Sequence, residues 1–119
     1  MPENNLFLPE GLRQPSRHTL SELKAAAETG EILTAPVLRC DTAHTLHISL
    51  NGIRGEIPRA EAVAPWISGS EREIAILSRV GKLSCFTVKR VVSDQKGAPL
   101  IYLSRAAAQE QTMEYFLSH

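Results

Sequence analysis

Residues 45–58 read TLHISLNGIRGEIP. Leu46, Ile48 and Leu50 alternate with Thr45, His47 and Ser49, the period-two pattern of a strand that keeps one face on a core and one in solvent. Asn51-Gly52 follows, and both residues tolerate the positive backbone angles of a tight primed turn, so the chain is expected to reverse there. IRGEIP, residues 53–58, then returns as a partner strand. Ile53 and Ile57 should point inward, and Gly55 marks a place where another group approaches the backbone closely.

Short runs of strand chemistry, separated by turn residues, continue on both sides of this hairpin. EILTAPVLRCD (31–41) precedes it, with Pro36 implying a bulge, an edge or a corner. After it, RAEAVAPWISGSER (59–72) is a connector with room for one helical turn, closed by Pro65, Gly69 and Ser70. EIAILSRV (73–80) is expected as an additional strand broken by Gly81, LSCFTVKRVV (83–92) as a longer strand, SDQKGAP as a turn and LIYLS (100–104) as the last strand. Helices are expected at both ends. Thr19 and Glu22 have the spacing of a capping box ahead of LSELKAAAET, Leu20, Leu23 and Ala27 give that helix an apolar face, and Gly30 suits its left-handed stop. Ser104 can cap RAAAQEQTMEYFL, whose Ala106, Met113, Phe116 and Leu117 fall on one side.

The expected organisation is an irregular arm over residues 1–18, with three prolines and Gly11, a short helix over 19–30, a barrel domain over 31–105 and a helix over 106–119. The fold class is mainly β: a small five- to six-stranded antiparallel barrel of the OB type, with a short N-terminal helix and a C-terminal helix. No glycine or proline closes the last helix before FLSH, an abruptness that suggests a longer natural protein in which residues 106–119 lead on to a further domain.

Composition bounds the function. The 119 residues are 43% hydrophobic and 22% charged with zero formal net charge, an ordinary globular balance that argues against a whole-surface electrostatic grip on nucleic acid. The charge is polarised along the chain, however. Arg79, Lys82, Lys89, Arg90, Lys96 and Arg105 face only Asp94 between residues 79 and 105, so a local basic face is open to the fold. No apolar run approaches the ~20 residues of a bilayer span, and MPENNLFLPE lacks the layout of a signal peptide, which makes the cytoplasm the expected compartment. Cys40 and Cys85 lie far apart without a paired motif and are expected as reduced thiols, Cys85 as a small core residue.

LHISLNGIRGEIPRAEAV resembles the S-one RNA-binding domain, the OB-fold repeat named after the largest ribosomal small-subunit protein. Leu50, Asn51, Gly52, Ile53, Arg54, Gly55, Glu56 and Ile57 stand in the register of that family's leucine, tight glycine turn, second glycine and short apolar strand. Val80-Gly81-Lys82, followed by CFTVKRVV, a turn and LIYLSR, resembles its closing pair of strands. The likeness covers residues 30–105. It implies a barrel that binds single-stranded RNA in translation or RNA metabolism, with ribosome components or further domains of the same chain as other partners. The sequence departs from the family where phenylalanines usually stack on bases, since those positions fall on His44 and His47. The family's exposed histidine falls near Pro58, its strand-ending acid is displaced to Asp94, and the basic residue after the last turn is missing from GAPLI.

Three readings of the histidines stand side by side. As an RNA surface, His44 and His47 would present flat rings with Arg54 and Arg59 beside the hairpin and Lys89 and Arg90 on a neighbouring strand. His44 and Leu46 share strand parity, so only a bulge near Thr45 would bring both rings to one side. As a metal site, Cys40, His44 and His47 with Cys85 would supply a two-cysteine, two-histidine set, though their spacing matches no paired ligand motif. As plain surface, both are polar residues on the solvent side of an antiparallel strand. No phosphate-cradling loop, nucleophile elbow or HExxH helix appears, so neither catalysis nor a cofactor is expected. Trp66 is expected to plug one end of the barrel, and Tyr102, opposite in parity to Ile101 and Leu103, to reach the outer surface. The rival to RNA binding is a protein-interaction module on the same scaffold, docking through its helices or Trp66.

Overall fold

A computed structural model describes residues 19–118. The expected arm over 1–18 lies outside the described residues, as do the side chains of Phe116 and Leu117. Chain order is α1 (Leu20–Thr29), β1 (Leu33–Cys40), β2 (Leu46–Leu50), β3 (Ile53–Ile57), a 3-10 turn (Arg59–Glu61), α2 (Gly69–Leu77), β4 (Leu83–Ser93), β5 (Pro99–Ser104) and α3 (Arg105–Ser118). The five strands close into a barrel in the order β1-β2-β3-β5-β4, with β4 returning to β1. This mainly-β architecture, with a helix at each end, is compatible with an OB-like barrel.

The antiparallel expectation holds for four of the five pairings and fails for β3 with β5, which run parallel. Closure itself demands the exception. Strand directions cannot alternate all the way round a ring of five, so one neighbouring pair must be parallel, and the crossover through α2 and β4 supplies the long connection that a parallel pair requires.

The second correction is residues 73–80. Instead of a sixth strand, Glu73–Leu77 complete α2, and Val80 makes only an isolated bridge to Val37. A continuous apolar run such as Ile-Ala-Ile-Leu does not distinguish a strand from a buried helix segment. Here the helical spacing of Arg72 and Ile76 decides, because both side chains are buried. The Arg72 guanidinium donates to the carbonyls of Arg59 at 2.7 Å, Ile67 at 2.9 Å and Ala64 at 3.1 Å, tying the whole connector to α2.

Elsewhere local chemistry works as read. Thr19 and Glu22 form the reciprocal capping box, and Gly30 ends α1 in the left-handed region. Leu46, Ile48 and Leu50 enter the core, and the Asn51-Gly52 turn takes positive φ at both residues. A Cβ on Gly55 would stand 2.9 Å from Leu103 Cδ1 and 3.2 Å from Leu50 Cδ1, so the glycine lets the core side chains close over β3. Pro36 occupies a corner: residues up to it pair with β4, and from Val37 onward β1 pairs with β2 through a bulge at Leu38. Ser104 caps α3 by accepting from the Ala107 amide. Trp66 does not plug the barrel. It is 71% exposed, and the adjacent Ala62 and Val63 enter the core in its place.

Candidate nucleic-acid interface

The register aligns one outward-facing residue from each strand. Arg39 on β1 pairs with His47 on β2, His47 with Glu56 on β3, Glu56 with Tyr102 on β5, and Tyr102 with Arg90 on β4. Cross-strand partners of this kind are neighbours on the barrel surface. The last member owes its orientation to a bulge. Val88 is buried opposite Leu103, Lys89 has no partner on β5, and Arg90 resumes pairing opposite Tyr102, so that Lys89 and Arg90 both turn outward. The Arg90 guanidinium lies 4.8 Å from the centre of the Tyr102 ring, a cation–π stack.

Acids thread through the same face. Asp41, in the turn before β2, accepts from the amides of Ala43 and Thr45 through Oδ1. Its Oδ2 stands 2.8 Å from His47 Nε2, which therefore donates to the carboxylate. These bonds, that from His47 foremost, hold the Asp41 carboxyl below the usual carboxylate range. Glu56 Oε2 lies 3.8 Å from the other ring nitrogen of His47 and 3.2 Å from Arg54 Nη2, and Arg54 also approaches Asp94 at 3.6 Å. Lys89 Nζ is 4.0 Å from Glu61. Arg39, Arg54, Lys89 and Arg90 thus share the face with Asp41, Glu56, Glu61 and Asp94, and the polarised charge of the sequence is largely compensated.

Of the six residues expected to touch RNA, the fold brings four to this face: His47, Arg54, Lys89 and Arg90. His47 lies edge-bound between two carboxylates with its side chain only 14% exposed, so it braces the row rather than offering a ring for stacking. His44 is not on β2 at all. It sits in the Asp41–Thr45 turn at φ 62°, its amide bonded to the Asp41 carbonyl, and the shared histidine platform does not form. Arg59 turns to α2, where it meets Glu73 at 4.0 Å. Among the described residues no group of three or more His, Cys, Asp or Glu side chains is placed to hold a metal ion; Cys40 and Cys85 are free thiols, Cys85 buried beside Thr34.

Tyr102, expected only to reach the surface, is the ring that the fold brings against a basic side chain. The sequence signal was its parity on β5 combined with two consecutive basic residues on β4, a pairing that a bulge was needed to align. Glu61, which binds Ser104 and faces Lys89, carried no signal of its own in the connector. No helix among the described residues is long and apolar enough to cross a membrane. No family model matches the chain, and no curated protein matches it.

Proposed function

We propose that this chain is a non-catalytic, cytoplasmic RNA-binding module of the OB type that takes single-stranded RNA weakly across the outer face of β2, β3, β5 and β4, in translation or RNA metabolism. The observation that carries this reading is the Arg90–Tyr102 stack beside a bulge that also turns Lys89 outward. Single-strand binders combine flat stacking surfaces with cations that follow the phosphates, and this corner of the barrel has both. Among the described residues Arg90 has no carboxylate partner, so its charge is available to a ligand. Arg54 extends the surface toward the hairpin, while His44 and Arg59 lie outside its centre. The acids on the face keep the electrostatic contribution small, which is why the binding is weak.

The test is a titration of a labelled ten-nucleotide single-stranded RNA by the 119-residue chain at about 50 and 200 mM salt, with protein up to near millimolar. Tyr102→Ala should cost the stacking contribution of ~1–3 kcal/mol at both salts, whereas Arg90→Ala should also flatten the salt dependence. No binding at the lower salt, where the phosphate attraction is strongest, would refute the reading.

A second reading, a protein-interaction module, is favoured by one separate observation. Trp66 stands exposed at a groove of about 610 Å3 between the connector and α3, lined by Val63, Pro65, Ala75, Ala106 and Met113. Exposed apolar surface around a tryptophan is typical of partner contacts. Trp66 is the sole tryptophan, so a blue shift of its emission on adding a candidate partner, with RNA affinity unaltered by Trp66→Ala, would support this reading.

A further inference from the structure

We infer that the cleft between the 3-10 turn and the β4–β5 surface is a nucleobase pocket that prefers guanine, with Glu61 as the residue that reads the base. The inference rests on the RNA-binding reading and adds to it which base is taken and by what group. The cleft, about 390 Å3, is walled by Pro58, Glu61, Lys89, Arg90, Tyr102 and Leu103. That volume lies in the range of small-ligand sites, and its walls combine two apolar side chains, a stacked guanidinium, a phenol, an ammonium and a carboxylate.

Glu61 is held as a dedicated acceptor. Its Oε1 accepts from Ser104 Oγ at 2.6 Å. That hydroxyl is fully buried and itself accepts from the Ala107 amide at 2.9 Å, so its one proton is committed to the carboxylate. Lys89 Nζ lies 4.0 Å from the same oxygen, which leaves Oε2 without a protein donor among the described residues. The side chain stays one-third exposed on the wall of the cleft. A carboxylate fixed in this way, with one oxygen open to the cleft, recognises groups that donate.

Among the four RNA bases, guanine suits it best. Its N1–H and 2-amino group are adjacent donors that match the open Oε2 and the remaining lone pair of Oε1, a bidentate pairing that is stronger and more directional than a single bond. Adenine and cytosine present one amino group beside an acceptor, and uracil presents one N3–H between two carbonyls, so an ionised carboxylate meets one donor and at least one repelling oxygen or nitrogen lone pair. A base stacked on the guanidinium of Arg90 has Glu61 at its edge, with Lys89 available to the adjoining phosphate.

The experiment uses fluorescence anisotropy with ten-nucleotide uridine RNAs carrying one central guanosine, adenosine, cytidine or inosine, titrated with the 119-residue chain at ~50 mM salt. The guanosine RNA should bind about ten-fold more tightly than the uridine-only RNA, since a hydrogen bond to a charged group contributes on that scale. Inosine lacks the 2-amino donor and should lose most of this preference with the protein unchanged. Glu61→Gln keeps the acceptor for Ser104 but turns a donor toward the base, so it should bring the four natural RNAs within about twofold of one another while uridine-only binding stays level or rises. Equal affinity of the parent chain for all the RNAs overturns the inference and leaves RNA binding standing. Inosine binding as well as guanosine, or a guanosine preference that survives Glu61→Gln, overturns it likewise. Binding to none of them overturns the RNA reading and this inference together.

Discussion

Arg72→Met tests how the candidate face is held. The parent side chain is 7% exposed and sends three hydrogen bonds from one guanidinium to the carbonyls of Arg59, Ala64 and Ile67. Methionine preserves much of the aliphatic stem and its packing but supplies no donor. The bond to Ala64 is buried, but that carbonyl keeps the Ile67 amide as a donor at 3.1 Å, so its loss costs about 1 kcal/mol, and the other two are partly exposed and water can replace the donor at about 0.5–1 kcal/mol each. Removing a buried charge recovers some desolvation energy and trims the sum. The expected loss is about 2 kcal/mol, which for a domain near this size lowers the melting temperature by roughly 8–16 °C. Circular-dichroism melts and urea titrations of the parent, Arg72→Met and Arg72→Lys measure it. Lysine should fall between them, because an ammonium on a flexible stem cannot span three carbonyls with the guanidinium's fixed fork. A melting point for Arg72→Met within about 4 °C of the parent, under about 1 kcal/mol, would refute the view that this guanidinium organises the connector.

Gly55→Ala should cost about 1–3 kcal/mol by overpacking, because the new methyl meets Leu103 and Leu50 inside contact distance; a chemical melt decides it, and a neutral result would mean that both leucines can repack. The Asp41 carboxyl lies below its ordinary value in the folded chain, so between that ordinary value of ~3.9 and the lower folded one the unfolded chain binds more protons. Its stabilising contribution is therefore complete above about pH 4 to 5 and is lost as pH falls through the folded value. Melting temperatures from pH 5 to 2.5 should fall less steeply for Asp41→Asn than for the parent. RNA affinity should follow salt with a log–log slope no steeper than about −1.5, as expected for two effective phosphate contacts on a single strand, Lys89 and Arg90; a slope near −4 would show that the intervening acids do not compensate the face.

The parts legible in the sequence are those whose physics is local. The capping box at Thr19 and Glu22, the positive-φ turn at Asn51-Gly52 and the alternation of Leu46, Ile48 and Leu50 each depend on residues within a few positions of one another, and the structure carries all three. Residues 73–77 form helix rather than the expected strand for the opposite reason. Their run of apolar side chains fits either element, and the deciding partner, Arg72, is satisfied by carbonyls up to thirteen residues away. The candidate site follows the same division. Consecutive basic residues at Lys89 and Arg90 were visible, but the pairing of Arg90 with Tyr102, the capture of His47 by Asp41 and the pairing of Arg54 with Asp94 arise only when strands meet.

By itself the sequence determined a mainly-β domain with a short capped helix, a central hairpin, a closing pair of strands and a terminal helix, because propensity, capping and turn geometry act over a few residues. Tertiary structure alone decided the parallel contact of β3 with β5, since an odd number of strands cannot alternate round a closed ring. It also decided which charges share the candidate face, because burial and cross-strand distance, not position along the chain, set whether an arginine meets a carboxylate or an aromatic ring.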